Sequence, residues 1–81
     1  MKKYVYCALF EKSKEGVAVT FPDIFGGVTC GDDYDDAVFM AKDLLRFMLT
    51  SAPAQCEKPL SKTEMEKIFP EKKIVEIEVE V

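Results

Sequence analysis

The stretch that most constrains the fold is "KYVYCALFEK", residues 3–12. It is rich in aromatic and β-branched residues, the types that suit a pleated strand. On a period of two, Tyr4, Tyr6, Ala8 and Phe10 fall on one side and Val5, Cys7 and Leu9 on the other. Both sides are apolar, so this strand has to be covered on both faces and belongs inside a sheet. The rest of the chain must be arranged around it. "SKEG" supplies a charged turn in which Gly16 is free to take positive φ. Residues 17–21, "VAVTF", form a second strand with Val17, Val19 and Phe21 on one side, joined to the first as a hairpin. Pro22 cannot donate to a ladder and ends that strand. "DIFGG" turns the chain, "VTC" makes a short third strand, and Gly31 breaks it.

A helix is predicted next, over residues 34–50. Asp33 is its natural N-cap, with Asp36 three residues later as a short-armed capping box. Asp32, Asp35 and Asp36 also lie near the positive end of the helix dipole. Tyr34, Ala37, Val38, Ala41, Leu44, Leu45 and Met48 recur at helical spacing and define a broad core-facing stripe, flanked by Met40 and Phe47. Phe39 lies on the opposite side, near Asp35, Arg46 and Thr50. A phenylalanine there is either a stray exposed apolar group or part of a contact surface.

Pro53 and Pro59 punctuate a loop over residues 51–60. Ser61 and Glu64 have capping-box spacing, which predicts a short helix ended by Pro70. The tail "KIVEIEVEV" sets Val75, Ile77, Val79 and Val81 against Glu76, Glu78 and Glu80, a strand with one buried and one wet face. The glutamate row also suits the guarding of a sheet edge. The expected architecture is α+β: a three-stranded antiparallel meander, a long helix, a short helix and a final strand (β-β-β-α-α-β), with the helix packed on one face. Placing the tail beside the first strand, in the order 3-2-1-4, buries the most apolar strand centrally. The helical crossover suits a last strand parallel to one of the others.

Composition narrows the function classes. The 81 residues favour one domain. With 48% apolar and 32% charged residues the chain has an ordinary globular composition. Its net charge of −4 works against direct nucleic-acid binding. The same charge favours a basic partner, or simply maintains solubility. There is no histidine, which removes Ser–His–Asp and Cys–His mechanisms and histidine-containing zinc sites. Cys7, Cys30 and Cys56 are odd in number and form no C-x-x-C pair, so reduced thiols in a cytoplasmic protein are expected. No run approaches the ~18 apolar residues of a membrane span, and no membrane association is expected. The start "MKKYVYCALF" has a short apolar run like a signal peptide's, but it reads better as a strand.

The most conspicuous chemistry-like stretch is "FPDIFGGVTCGDDYDD", residues 21–36. Its "GDDYDD" does not follow the Asp-x-Asp-x-Asp-Gly calcium loop and it opens a helix, so capping accounts for Asp33 and Asp36. Asp23 is a turn former. Cys30 sits among acids, which disfavour the thiolate that a nucleophile needs.

Taken in order, the strand "YVYCALFEK", the hairpin "KEGVAVTFPD", the segment "FGGVTCGDD" and the helix start "YDDAVFMAKDLL" make the chain resemble the HicB-like antitoxin family in its compact N-terminal-domain form. The resemblance covers residues 3–50 best. The family usually has Pro-Gly-Cys where this chain has Phe25, Gly26 and Gly27. Many members continue into a C-terminal DNA-binding domain; this chain, ending at Val81, is expected to be a single HicB-like domain without one.

The resemblance implies a truncated ribonuclease H-like fold acting as a non-enzymatic binder that covers a small basic RNA-cleaving toxin of the HicA-like kind. It implies self-association as a homodimer or higher homo-oligomer. Phe25, Asp32, Asp35 and Phe39 are the partner-binding candidates. Catalytic ribonuclease H-type folds hold two metal ions with carboxylates, the first in mid-strand one. Here Tyr6, Cys7, Ala8 and Leu9 occupy that place, so no catalytic residue, metal or cofactor is expected. The alternative is a solitary domain of the same fold used in self-assembly or in binding another protein or a small ligand.

Overall fold

A computed structural model describes residues 2–81. Strand β1 (Lys3–Ser13) turns into β2 (Gly16–Thr20), and β3 (Val28–Gly31) completes the meander. Helix α1 (Tyr34–Ser51), a 3-10 turn (Pro53–Gln55), helix α2 (Lys62–Ile68) and strand β4 (Lys73–Glu80) follow. The sheet has the order β3-β2-β1-β4 and is antiparallel throughout. The two-faced β1 is central as its sequence requires, pairing with β2 through residues 9–13 and with β4 through residues 3–10.

The faces of β1 are covered unequally. On one, Tyr6, Ala8 and Phe10 join Val17, Val19, Phe21, Ile77 and Val79 beneath Ala37, Ala41, Leu45 and Met48 of α1. The small residues Ala37 and Ala41 let α1 settle closely on β3. A Cβ on Gly31 would come within 2.6 Å of the Ala37 Cα. On the other face Met65 of α2 is fully buried against Cys7 and Ile74, with Leu9, Leu60 and Phe69 around them. This second, smaller core is why β1 is apolar on both sides. No charged side chain is buried among the described residues, so burial of apolar area dominates the stability.

The last strand does not run parallel to a neighbour selected by a single helical crossover. β4 is antiparallel to β1, with Lys3 opposite Glu80 and Phe10 opposite Lys73. The physical reason is α2. Helix α1 carries the chain from the β3 end to the far end of the sheet, and α2 carries it back across the other face. β4 therefore starts beside the C-terminal half of β1. Its Glu76, Glu78 and Glu80 are exposed along the edge strand.

Local signals operate as expected at α2, where Ser61 and Glu64 form a reciprocal capping box. At α1 they differ in detail. The Asp33 side chain accepts from the Asp36 N–H at 2.8 Å. The Asp36 carboxylate, however, accepts from the N–H of Asp32, not from that of the cap, also at 2.8 Å. Gly31 is the last residue of β3 and does not interrupt it.

Candidate functional site

The exposed chemistry is concentrated on the outward face of α1. The helix forms because its apolar residues recur on one side and because Asp33 satisfies an otherwise unpaired N–H at its start. That anchoring fixes the rotation of the helix, which turns Phe39 away from the sheet; it is 66% exposed. On a helix, residues three and four positions away are neighbours. Those of Phe39 are Asp35, Asp36, Lys42 and Asp43, so an exposed aromatic ring is bordered by three carboxylates and one amine. A surface of this kind can accept a cationic group and the apolar stem behind it.

The four candidates occupy different places. Asp35 and Phe39 share the outward face one turn apart. Asp32 lies just before the helix, exposed, with its backbone N–H held by Asp36. The Asp32 and Asp35 carboxylates make no hydrogen bond or ion pair among the described residues, in contrast to Asp36 and Asp33, which serve the cap. Phe25 is the most exposed large apolar side chain among the described residues, at 78%, but it lies elsewhere. Its N–H donates to the Gln55 carbonyl at 2.9 Å, which fixes it near the C-terminal end of α1. Asp32 and Asp35 therefore lie at the N-terminal end of α1, with Phe39 one turn beyond Asp35; Phe25 is set apart near the other end, about 18 Å from Phe39 along the axis at 1.5 Å per residue.

Three features of this surface escape a linear reading. Asp43 completes the acidic border of Phe39, and its i+4 position is the signal that could have found it. Phe47, placed at the flank of the core stripe, is 59% exposed. Tyr34, placed in that stripe, is also exposed. At the first residue of α1 its ring lies 5.5 Å from that of Phe10 and carries the Lys73 ammonium 4.4 Å from its centre. These groups border a cavity of about 510 Å³ between the β1–β2 hairpin and the start of α1. Lys12 and Lys14 line it opposite Asp32 and Asp33, so its charge is mixed.

Asp23 does more than form a turn. Its carboxylate accepts from the Leu60 N–H at 3.0 Å and its carbonyl from the Glu57 N–H at 2.8 Å. It thereby ties the loop before α2 to the end of β2. Nearby, the buried Tyr6 hydroxyl donates to the Glu57 carbonyl at 2.8 Å. Burial, helped by the neighbouring Cys56, Asp23, Tyr4 and Glu57, pushes the Tyr6 phenol above its usual value. Burial likewise pushes the Cys7 and Cys56 thiols up, away from the thiolate form. The middle of β1 is the buried run Tyr6, Cys7 and Ala8, with no carboxylate. Among the described residues no three or more Asp, Glu, Cys or His side chains converge as a metal site. No helix among them is long and apolar enough to cross a membrane.

Comparison with protein-family models, curated proteins and solved structures gives no match.

Proposed function

We propose that this chain is a non-enzymatic binding module of the antitoxin kind, which holds a small basic RNA-cleaving protein by direct contact in the cytoplasm. The observation that carries this reading is the exposed Phe39 within its border of Asp35, Asp36 and Asp43, on an acidic domain. Binding surfaces draw most of their affinity from a few aromatic anchors surrounded by polar groups that steer the partner. A basic partner gains encounter rate from the net charge and orientation from the carboxylates. Phe39 supplies the apolar anchor, while Asp32 extends the same acidic surface beyond the helix start. The contact would cover the active site of the partner, so the module needs no reaction of its own.

The test begins with the neighbouring genes, one of which the reading expects to encode a small basic protein, and proceeds to co-expression with that protein. The reading expects the two to co-purify and growth to be rescued. Metal-dependent cleavage of RNA by the isolated chain would overturn it in favour of an enzyme.

A further inference from the structure

The cavity of about 510 Å³ between the β1–β2 hairpin and the start of α1 has no part in the surface around Phe39. Its volume is that of a small-molecule site, about 300–1,000 Å³. The strand registers decide what lines it. Residues directly opposed in neighbouring strands share a face of the sheet, as do residues two apart in one strand. Phe10 is opposed by Lys73 of β4, and Lys12 by Val17 of β2. Phe10 and Val17 belong to the core on the α1 side. Lys12 and Lys73 therefore project on that same side, next to Phe10. Lys14 joins them from the turn, and Tyr34 borders the cavity from the helix.

The charges in this cavity are not balanced. Three ammonium groups, from three separate segments, meet two carboxylates from one segment, Asp32 and Asp33. The Asp33 carboxylate is already engaged by the Asp36 N–H. The ion pair among the described residues is Lys72 with Glu11, so Lys12, Lys14 and Lys73 are not paired with a carboxylate. The cavity is thus a local cationic exception on a chain of net charge −4.

Parts of it are also set in place beforehand. The Lys73 ammonium rests 4.4 Å from the centre of the Tyr34 ring. A cation–π contact of this kind holds an ammonium without cancelling its charge. In the hairpin turn the Ser13 hydroxyl accepts from the Glu15 N–H and donates to the Gly16 carbonyl, each at 3.3 Å. The backbone that carries Lys14 is therefore fixed, which lowers the ordering cost of binding.

We propose that this cavity binds a small organic anion, a carboxylate or phosphate carried on a flat apolar body. The anionic head takes the ammonium groups of Lys12, Lys14 and Lys73, and the body lies against Tyr34 above Phe10 and Val17. An anion is favoured over a cation because a cation would find one unengaged carboxylate, Asp32, among three ammonium groups. It is favoured over an uncharged apolar ligand because such a ligand would strip water from those ammonium groups and return nothing to them. The proposal does not rest on the antitoxin reading, since it uses neither Phe39 nor a partner protein.

Titration of the full chain with naphthoate and with naphthyl phosphate, followed by amide chemical shifts, is the test. Saturable shifts confined to the hairpin and the starts of α1 and β4 are expected for at least one of them, and the tighter of the two identifies the head group. Naphthylmethylammonium, a similar body with the opposite charge, should bind about tenfold more weakly or not at all. Lys12→Gln and Lys73→Gln should each weaken the anion about tenfold, the share of one hydrogen bond to a charged group. Their melting temperatures should hold, because both side chains are exposed. Absence of saturable shifts at the cavity with either anion would overturn the proposal. So would binding of the cation as tight as that of the anions, or anion binding indifferent to both lysine substitutions.

Discussion

Replacing Gly31 with alanine tests the packing that positions the outward face of α1. The added Cβ would meet backbone atoms, not a flexible side chain: the Ala37 N, the Ala37 Cα at 2.6 Å and the Asp36 carbonyl carbon at 2.7 Å. Ordinary contact for such an atom begins at 3.4 Å. The first turn of α1 must therefore back away by the better part of an ångström, or β3 must bend outward. Overpacking of this kind costs about 1–3 kcal/mol, and a clash against two stretches of backbone belongs at the upper end. A domain of this length has a total stability of about 4–12 kcal/mol, so the loss is a large share of it. Thermal unfolding of the purified variant should show a melting temperature lower by about 12–24 °C, using 4–8 °C per kcal/mol for a small domain. Gly26→Ala is the internal control. Gly26 has φ of 80° and open space around its missing Cβ, so it should cost only about 1 kcal/mol, from backbone conformation alone. If Gly31→Ala proved as mild as Gly26→Ala, the close seating of α1 on β3 would be refuted.

Two further variants test the second core and the loop clamp. Met65→Ala should cost about 2–5 kcal/mol in urea unfolding, because Met65 is fully buried between Cys7 and Ile74; a loss below ~1 kcal/mol would mean that α2 is only loosely held. Tyr6→Phe should cost about 1 kcal/mol and alter the alkaline limb of stability. The folded-state phenol is raised above 10.0 chiefly by burial. Its contribution is therefore complete below that value and is lost as pH rises through the folded-state value. The variant should show a shallower decline there, and an unchanged decline would assign it to other groups.

Much of this fold is legible in the sequence because the decisive signals are local. The two apolar faces of β1 demand a central position, and that single requirement yields the order β3-β2-β1-β4. The stripe Ala37, Ala41, Leu45 and Met48 fixes the rotation of α1 and so the exposure of Phe39. Ser61 and Glu64 announce the start of α2 within four residues. What is not legible depends on contacts distant in sequence. The direction of β4 follows from α2 crossing the second face, which requires Met65 to meet Cys7 and Ile74. Asp23 reads as a turn former because its partner, Leu60, lies 37 residues away. Tyr34 fits the helical period but stays exposed beside Phe10 and Lys73, an outcome that periodicity does not encode. Phe25 and Phe39 are each visible as exposed aromatics, yet only the structure shows that Phe25 sits near the C-terminal end of α1 while Phe39 lies in its N-terminal half.

The central claim is that the outward face of α1 binds a basic partner protein, and Phe39→Ala tests it most directly. The side chain is largely exposed, so its loss should change unfolding stability by less than about 0.5 kcal/mol. As an aromatic anchor it should contribute about 2 kcal/mol of binding, some thirtyfold in Kd. Titration of the native chain and the variant with the small basic protein that the account expects a neighbouring gene to encode is predicted to give a stable complex that the substitution weakens to that extent while the melting temperature holds. No complex with the native chain, or one indifferent to Phe39→Ala, would contradict the account.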